Sequence, residues 1–289
     1  MTVTLSHKAF ELVLAPSFGG SVLSFKYAGA DLLRPAATMT PENWDARRTA
    51  AFPMVPFCGR ITNGEFTINQ LTVKLPANMP PEPHAIHGFG WQANWTCTFQ
   101  SAREAVLEFD ASNTGWPWPF MARQHFSLAD EGLSLELSLT NLGDTPMPGG
   151  FGWHPYFPKQ DAQLRAGVQR IWLASDEAAT DHAVSKFPEF DLRTRKTVED
   201  ITLDHAFTVE TLKQRLIWPD RTLELSASDL FQHLVVYVPP EEDAFCVEPI
   251  SHVPNAVNMP RPKTETGLKV LKPGENLIGT VRLVLTNTP

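Results

Sequence analysis

The feature that most constrains this chain is a hydrophobic period of two rather than 3.6. Leu133, Leu135, Leu137 and Leu139 alternate with Ser134, Glu136, Ser138 and Thr140 behind a turn at Ala129-Asp130-Glu131-Gly132. Such alternation places all four leucines on one face of an extended strand, with the polar residues on the other. The same period recurs at Phe10, Leu12 and Leu14, where Phe18-Gly19-Gly20 then turns the chain toward Val22 to Phe25 and predicts a hairpin. It returns at Trp95, Cys97 and Phe99, at Leu223 and Leu225 after a Pro219-Asp220 turn, and at Val281, Leu283 and Leu285. Helix signals are few. Thr40 before Pro41, with Glu42 in the first turn, predicts a short helix through Arg48, and Glu199 to Thr202 supports another turn. With 25 prolines and 17 glycines punctuating the strands, the expectation is an all-β chain of two antiparallel sheets packed face to face, whose loops carry function.

Length and charge narrow the function. The 289 residues are long for one domain, yet all-β units of about 200 to 250 residues are common, and residues 1–289 are expected to form a single domain. A net charge of -8 and the lack of any Lys/Arg run argue against nucleic acid and anionic lipid and favour a neutral small molecule. Cys58, Cys97 and Cys246 are odd in number and widely spaced; they form no CxxC pair and are expected to be buried, reduced thiols. The N-terminal MTVTLSHKAFELVLAP lacks a basic n-region and a continuous apolar stretch, so a cytoplasmic protein is expected.

Two stretches concentrate the residues suited to chemistry. In FCVEPISHVPNAVN, the alternation of Phe245 and Val247 turns Cys246 and Glu248 to the opposite face, and the prolines end the strand just past the acid. In GGFGWHPYFP, His154 stands among Trp153, Pro155, Tyr156 and Phe157, which would fix its ring. A Glu and a His suffice for paired proton transfer; against this stands a solvated Glu at a strand end. Arg60 in FPMVPFCGRITNGEF is either a surface side chain or a guanidinium in an apolar setting that needs acceptors. His87 precedes Gly88, a residue that permits close backbone approach to a ligand, and is otherwise a histidine satisfied in a loop. Asp204 in LDHAF is by local sequence a turn or helix cap. Trp91, Phe151 and Trp153 offer flat faces to a sugar ring, although most tryptophans fill cores. His84, His87, His154 and Glu248 would supply ligands for a cupin-like metal site, but His84 and His87 point apart in a strand and no HExxH is present. GxSxG and GxxxxGK[ST] are also missing.

Taken in chain order, Arg60, His87, His154, Asp204 and Glu248 resemble the site of the aldose 1-epimerase (galactose mutarotase) family. The resemblance covers nearly the whole chain and is carried by FGGSVLSFKYAGADLLRP, FCGRITNGEF, IHGFGW, WHPYF, LDHAF and FCVEPISHVPNAVN. It implies a large antiparallel β-sandwich of the galactose mutarotase-like supersandwich type, with few short helices, and a cofactor-free, metal-free interconversion of the α and β anomers of a free aldose. It further implies Glu248 as general base toward the C1 hydroxyl, His154 as general acid toward the ring oxygen, and Arg60, His87 and Asp204 as hydroxyl-binding residues. Trp91 and Trp153 as stacking faces are our own inference. Since free Glu titrates near ~4.3 and free His near ~6.5, a modest rise at His154 beside Glu248 would leave one ionised and the other protonated near neutrality. Trp153-His154-Pro155-Tyr156-Phe157 departs from the Asn-His-x-Tyr-Phe run of galactose-specific members. Trp91 stands where a hexose 6-phosphate branch carries Arg, so an unphosphorylated sugar is expected. A carbohydrate-binding sandwich without catalysis is the alternative from another class. The chain is expected to act as a monomer or homodimer.

Overall fold

The leucine strand forms as the alternation requires. In the computed structural model, which describes residues 2–40, 42–174 and 180–286, it runs Gly132–Asn141. All four leucines are buried and the intervening polar residues are partly exposed. Antiparallel neighbours flank it: Phe120–Ala129 across the Ala129 to Gly132 turn, and Asn276–Thr286 on the other edge. The expected hairpin pairs Phe10–Ala15 with Ser21–Tyr27, and Val3–His7 adds to it. Gly19 has φ +69°, and a Cβ there would lie 2.1 Å from the Trp91 carbonyl oxygen, so this turn requires glycine. Among the described residues, eighteen strands join in one continuous hydrogen-bonded network, with three two-stranded ribbons beside it. Every ladder among the described residues is antiparallel, and an isolated parallel bridge joins Val55 to Gly88. No helix among the described residues is long and apolar enough to cross a membrane.

One region of this network positions the site. Strands Ala51–Met54, Gly152–Pro158, Ala244–Ile250, His233–Val238, Leu203–Ile217 and Gln163–Leu173 lie side by side in that order. Their registers align one residue from each into a row: Phe52 pairs with His154, Glu248 with Val235, Val235 with Ala206, and Ala206 with Trp172. The flanking pairs Gly152 with Ile250 and Tyr156 with Cys246 set His154 opposite Glu248. The next row is Tyr156, Cys246, Tyr237 and Asp204. Because side chains in a strand alternate faces, both rows point the same way. Phe52, Tyr156, Trp172, Ala206 and Cys246 gather there in a small apolar cluster with Trp91. Phe245, Val247, Trp153 and Phe157 point oppositely, into the larger core.

The structure differs from expectation at several places. Between Thr40 and Arg48 only a short turn of 3-10 helix forms, Ala46–Arg48, because Asp45 rather than Thr40 caps it by accepting from the Arg47 N–H. The Thr40 N–H is instead donated to the Asn43 side chain at 2.7 Å, and Pro41 lies outside the described residues. The second turn is Val198–Asp200. An unanticipated α-helical turn, Lys263–Thr266, ends at Gly267 with φ +79°. The strand expected from Trp95 begins at Thr96, and a bulge between Cys97 and Phe99 breaks the alternation. Trp95 is therefore buried, Phe99 is 49% exposed, and Cys97 is only part-buried, unlike Cys58 and Cys246.

Candidate active site

Glu248 and His154 meet across adjacent strands, with Nε2 of the histidine 3.3 Å from a carboxylate oxygen of the glutamate. Glu248 is 2% exposed, which overturns the solvated strand-end alternative. Its strand does not stop at Pro249 but continues to Ile250, with Pro249 opposite Leu234. Phe52 stacks on the His154 ring at 4.4 Å between centroids, and Tyr156 lies 4.8 Å away on the same side of the sheet. Packing thus fixes the imidazole plane. His154 Nδ1 is buried and has no hydrogen-bond partner among the described residues.

Burial governs the charge state of the pair. It pushes the Glu248 carboxyl well above its ordinary value, and Asp204 adds to the rise while Arg60 opposes it. It pushes His154 down to about 3, and Arg34 adds to the fall. A modest rise at His154 is therefore not what the resting site provides: desolvation disfavours the charged form of both groups. The neutral pair carries two protons, one on the Glu248 carboxyl and one on the imidazole. The ionised arrangement, carboxylate and imidazolium, holds the same two and differs only in that the carboxyl proton has crossed the 3.3 Å gap.

Arg60, His87 and Asp204 converge on this pair from separate parts of the chain. Arg60 lies on a two-residue strand opposite Ile86, directly beside the turn that carries His87. The His87 ring is 5.4 Å from that of His154, edge to face. Its Nδ1 accepts the Gly59 N–H at 3.2 Å, which leaves the proton on Nε2 in the neutral form, and burial holds its pKa well below the ordinary value. His87 itself has φ +58°. Gly88 has φ +69° and passes so close to Val55 that a Cβ would lie 2.1 Å from its carbonyl oxygen; the close approach is to the protein's own backbone. Asp204 is neither turn nor cap. It lies at the start of the Leu203–Ile217 strand, its side chain 53% exposed and 3.7 Å from Arg60 Nη1.

The tryptophans divide. Trp91 belongs to the site, but at 2% exposure it offers no open face. Its indole N–H donates to the Ile86 and Gly88 carbonyls at 3.1 and 3.2 Å, and its ring meets Phe52 and the edge of His87. It braces the histidine turn. Trp153, 1% exposed, is in the larger core because it follows Gly152 and precedes His154 on one strand and so points away from the site. Phe151 is likewise core. Neither is a stacking face.

Several contributors escaped the sequence reading. Glu82 chelates the Arg60 guanidinium, accepting from Nε at 2.7 Å and Nη2 at 2.9 Å. His252 joins the two motif segments: its Nε2 accepts the Cys58 N–H at 3.2 Å and its Nδ1 faces the Val253 carbonyl at 2.8 Å. Asn255 donates its backbone N–H to the Arg60 carbonyl at 2.8 Å and accepts the Thr62 N–H at 3.2 Å. FCGR and ISHVPN therefore buttress one another, a relation between distant segments that no local pattern shows. A cupin-like set does not assemble, since His84 Nδ1 accepts the Asn63 N–H at 3.0 Å and His87 Nδ1 accepts that of Gly59. The donors that do gather, within 4.8 Å of one another, are His154, Cys246 and Glu248.

Comparison with known proteins gives the chain its family. The family model for aldose 1-epimerase matches residues 1–283, and the chain belongs to that family. It is 27% identical to YphB, an uncharacterised protein of Escherichia coli strain K12, over 98% of each chain. The solved structure of an Escherichia coli K12 protein provisionally called an aldose 1-epimerase superposes with a TM-score of 0.90 at 25% identity, covering 100% of this chain and 99% of the other. A galactose mutarotase-like protein of Clostridium acetobutylicum shares the fold with a TM-score of 0.88 at 19% identity, over 99% and 95% of the two chains.

Proposed function

We propose that this chain is a mutarotase that interconverts the α and β anomers of a free, unphosphorylated aldose, with Glu248 and His154 moving the protons. The observation that carries the proposal is the buried Glu248 and His154 pair, 3.3 Å apart on one face of the sheet. Desolvating two titratable groups side by side is costly. A protein that only bound sugar would gain nothing from it.

In the forward step Glu248, as carboxylate, takes the C1 hydroxyl proton while His154, as imidazolium, gives its proton to the ring oxygen. The bond between C1 and the ring oxygen breaks, leaving an open-chain aldehyde and the ring hydroxyl. Rotation about the bond from C1 to C2 presents the other face of the carbonyl. Closure then reverses each transfer: the hydroxyl returns its proton to His154 as it attacks C1, and Glu248 protonates the new C1 oxygen. No proton is gained or lost over the cycle. Sugar hydroxyls entering the site hydrogen-bond the charged forms of both groups, which favours the shift of the shared proton from Glu248 to His154. Arg60 and Asp204 at the mouth and His87 Nε2 beside the reacting end hold the remaining hydroxyls.

The test is the rate of anomer equilibration of freshly dissolved α-D-glucose, α-D-galactose and L-arabinose, followed by polarimetry or NMR against the spontaneous rate. Acceleration by the native protein, with a fall of about 10²-fold or more in Glu248→Gln, is the expected result for a general base. Binding of a sugar without acceleration by the native protein would replace catalysis with the binding-module reading.

A further inference from the structure

Arg60 stands beside Asp204 at the exposed side of this site, yet two of its three nitrogens are already taken. Glu82 engages Nε and Nη2 as a bidentate fork, and Nη1 is left on the side of Asp204. The fork is held in place. Glu82 lies in the segment between Leu75 and Ala85, where its N–H reaches the Met79 carbonyl at 3.1 Å. Asn78 pins the same segment by a reciprocal pair of 2.8 Å bonds with the backbone of Ile86, the residue opposite Arg60. Each partner strengthens the other's charged form: Arg60 lowers the Glu82 pKa, and Glu82 raises that of Arg60. A planar guanidinium gripped on one edge can turn neither its plane nor its remaining donors.

Resting on the mutarotase reading, we propose that Glu82 is the positioning residue of the sugar site: it aims the free edge of Arg60 at the sugar hydroxyls and cancels its charge, so that the mouth takes uncharged sugars and turns away anionic ones. With Arg60 neutralised by Glu82, Asp204 is the uncompensated charge of these three groups. Two cations next to Tyr156 are committed in the same way. Arg34 is bound to Glu242 and to the Arg47 and Thr49 carbonyls, and Arg47 to Asp45. A hexuronate or a sugar phosphate would meet a site with no uncompensated cation among these groups, and an anion placed there loses water for no charge partner.

The experiment compares native protein, Glu82→Gln, Glu82→Ala and Arg60→Ala for equilibration of α-D-glucose and of an anionic analogue, D-glucuronate, with thermal melting of each variant. Glu82→Ala is expected to raise the glucose KM about 10-fold, the scale of one charge-assisted hydrogen bond, with kcat within about 3-fold. Glu82→Gln, which keeps an acceptor but no charge, recovers part of that KM and narrows the preference for glucose over glucuronate by about 10-fold. An unchanged KM in Glu82→Ala, while Arg60→Ala raises it, overturns the proposal and leaves the mutarotase reading standing. Equal losses for both sugars in step with a lower melting temperature, without recovery in Glu82→Gln, overturn it in favour of a structural role. No acceleration of either sugar by the native protein overturns both.

Discussion

The rings of Phe52 and His154 lie nearly face to face, 4.4 Å between centroids and 25° between planes, because the register pairs these residues on adjacent strands. The imidazole is thereby held between an aromatic wall and the Glu248 carboxylate. Phe52→Leu removes the wall but keeps an apolar side chain. We expect it to lower kcat about 10-fold through loss of ring orientation and to cost about 1 to 2 kcal/mol of stability as a partly filled cavity. Single-turnover kinetics beside a denaturant melt separates the two. An unchanged kcat in a destabilised variant would show that the stack serves only packing.

The charge state of the pair makes a signed prediction about stability. Glu248 is protonated in the folded state well above the ordinary value of 4.5, whereas the unfolded chain releases that proton. Over the interval from 4.5 up to the raised folded value the native state binds the extra proton, so stability falls as pH rises, by about 1.4 kcal/mol per unit for one fully buried group. Glu248→Gln removes the titration. The variant should lose activity about 10²-fold or more yet be more stable than the native protein, by a margin that widens in thermal melts as pH rises above 4.5. His154 acts on the acid side: its folded value of about 3 lies below the ordinary 6.5, so its stabilising contribution is present above 6.5 and is lost as pH falls toward 3. A margin that stays constant as pH rises above 4.5 would mean that Glu248 is ionised in the resting fold.

Much of this site was legible in the sequence, and the parts that were not share one physical cause. The Phe245 to Glu248 alternation placed Cys246 and Glu248 on one face and Phe245 and Val247 on the other, as the two clusters now show. The same rule, applied to Trp153 and His154, forbids both from facing one ligand, because Gly152–Pro158 is a regular strand despite its prolines. Phe52 reaches the site through the register of neighbouring strands, and register depends on residues far apart in sequence. Glu82 stands in the run PPEPH, where no periodicity marks a partner for Arg60.

Trp91 and Trp153 separate bracing from packing. Trp91→Phe keeps most of the ring contact with Phe52 and His87 but removes the N–H that holds the Ile86 and Gly88 carbonyls. The Ile86 and Gly88 carbonyls beside His87 each lose one of two donors and keep Asn78 Nδ2. The expected result is a glucose KM raised several-fold, about 3- to 10-fold, with a modest loss of stability. Trp153→Phe, on the opposite face of its strand, should lower the melting temperature and leave KM unchanged. A KM effect from Trp153→Phe at a temperature where the variant is fully folded would contradict the assignment of that ring to the core.

Metals give the sharpest separation between proton-transfer chemistry and a metal-dependent reaction. Anomer exchange through Glu248 and His154 draws on no cation, so prolonged dialysis against EDTA is expected to leave the equilibration rate within error of the untreated rate. Added Zn²⁺ should act the other way. The imidazole of His154, the thiol of Cys246 and the carboxylate of Glu248 lie within 4.8 Å of one another, and a borderline-soft divalent ion prefers that mixture of nitrogen, sulfur and oxygen. Bound there, it would occupy both groups that move protons and inhibit. Cys246→Ala removes the soft ligand and should raise the Zn²⁺ concentration needed for half inhibition about 10-fold or more. Loss of activity in EDTA that returns with a stoichiometric metal ion would instead make the cation part of the catalyst and remove the basis for a proton-transfer pair acting alone.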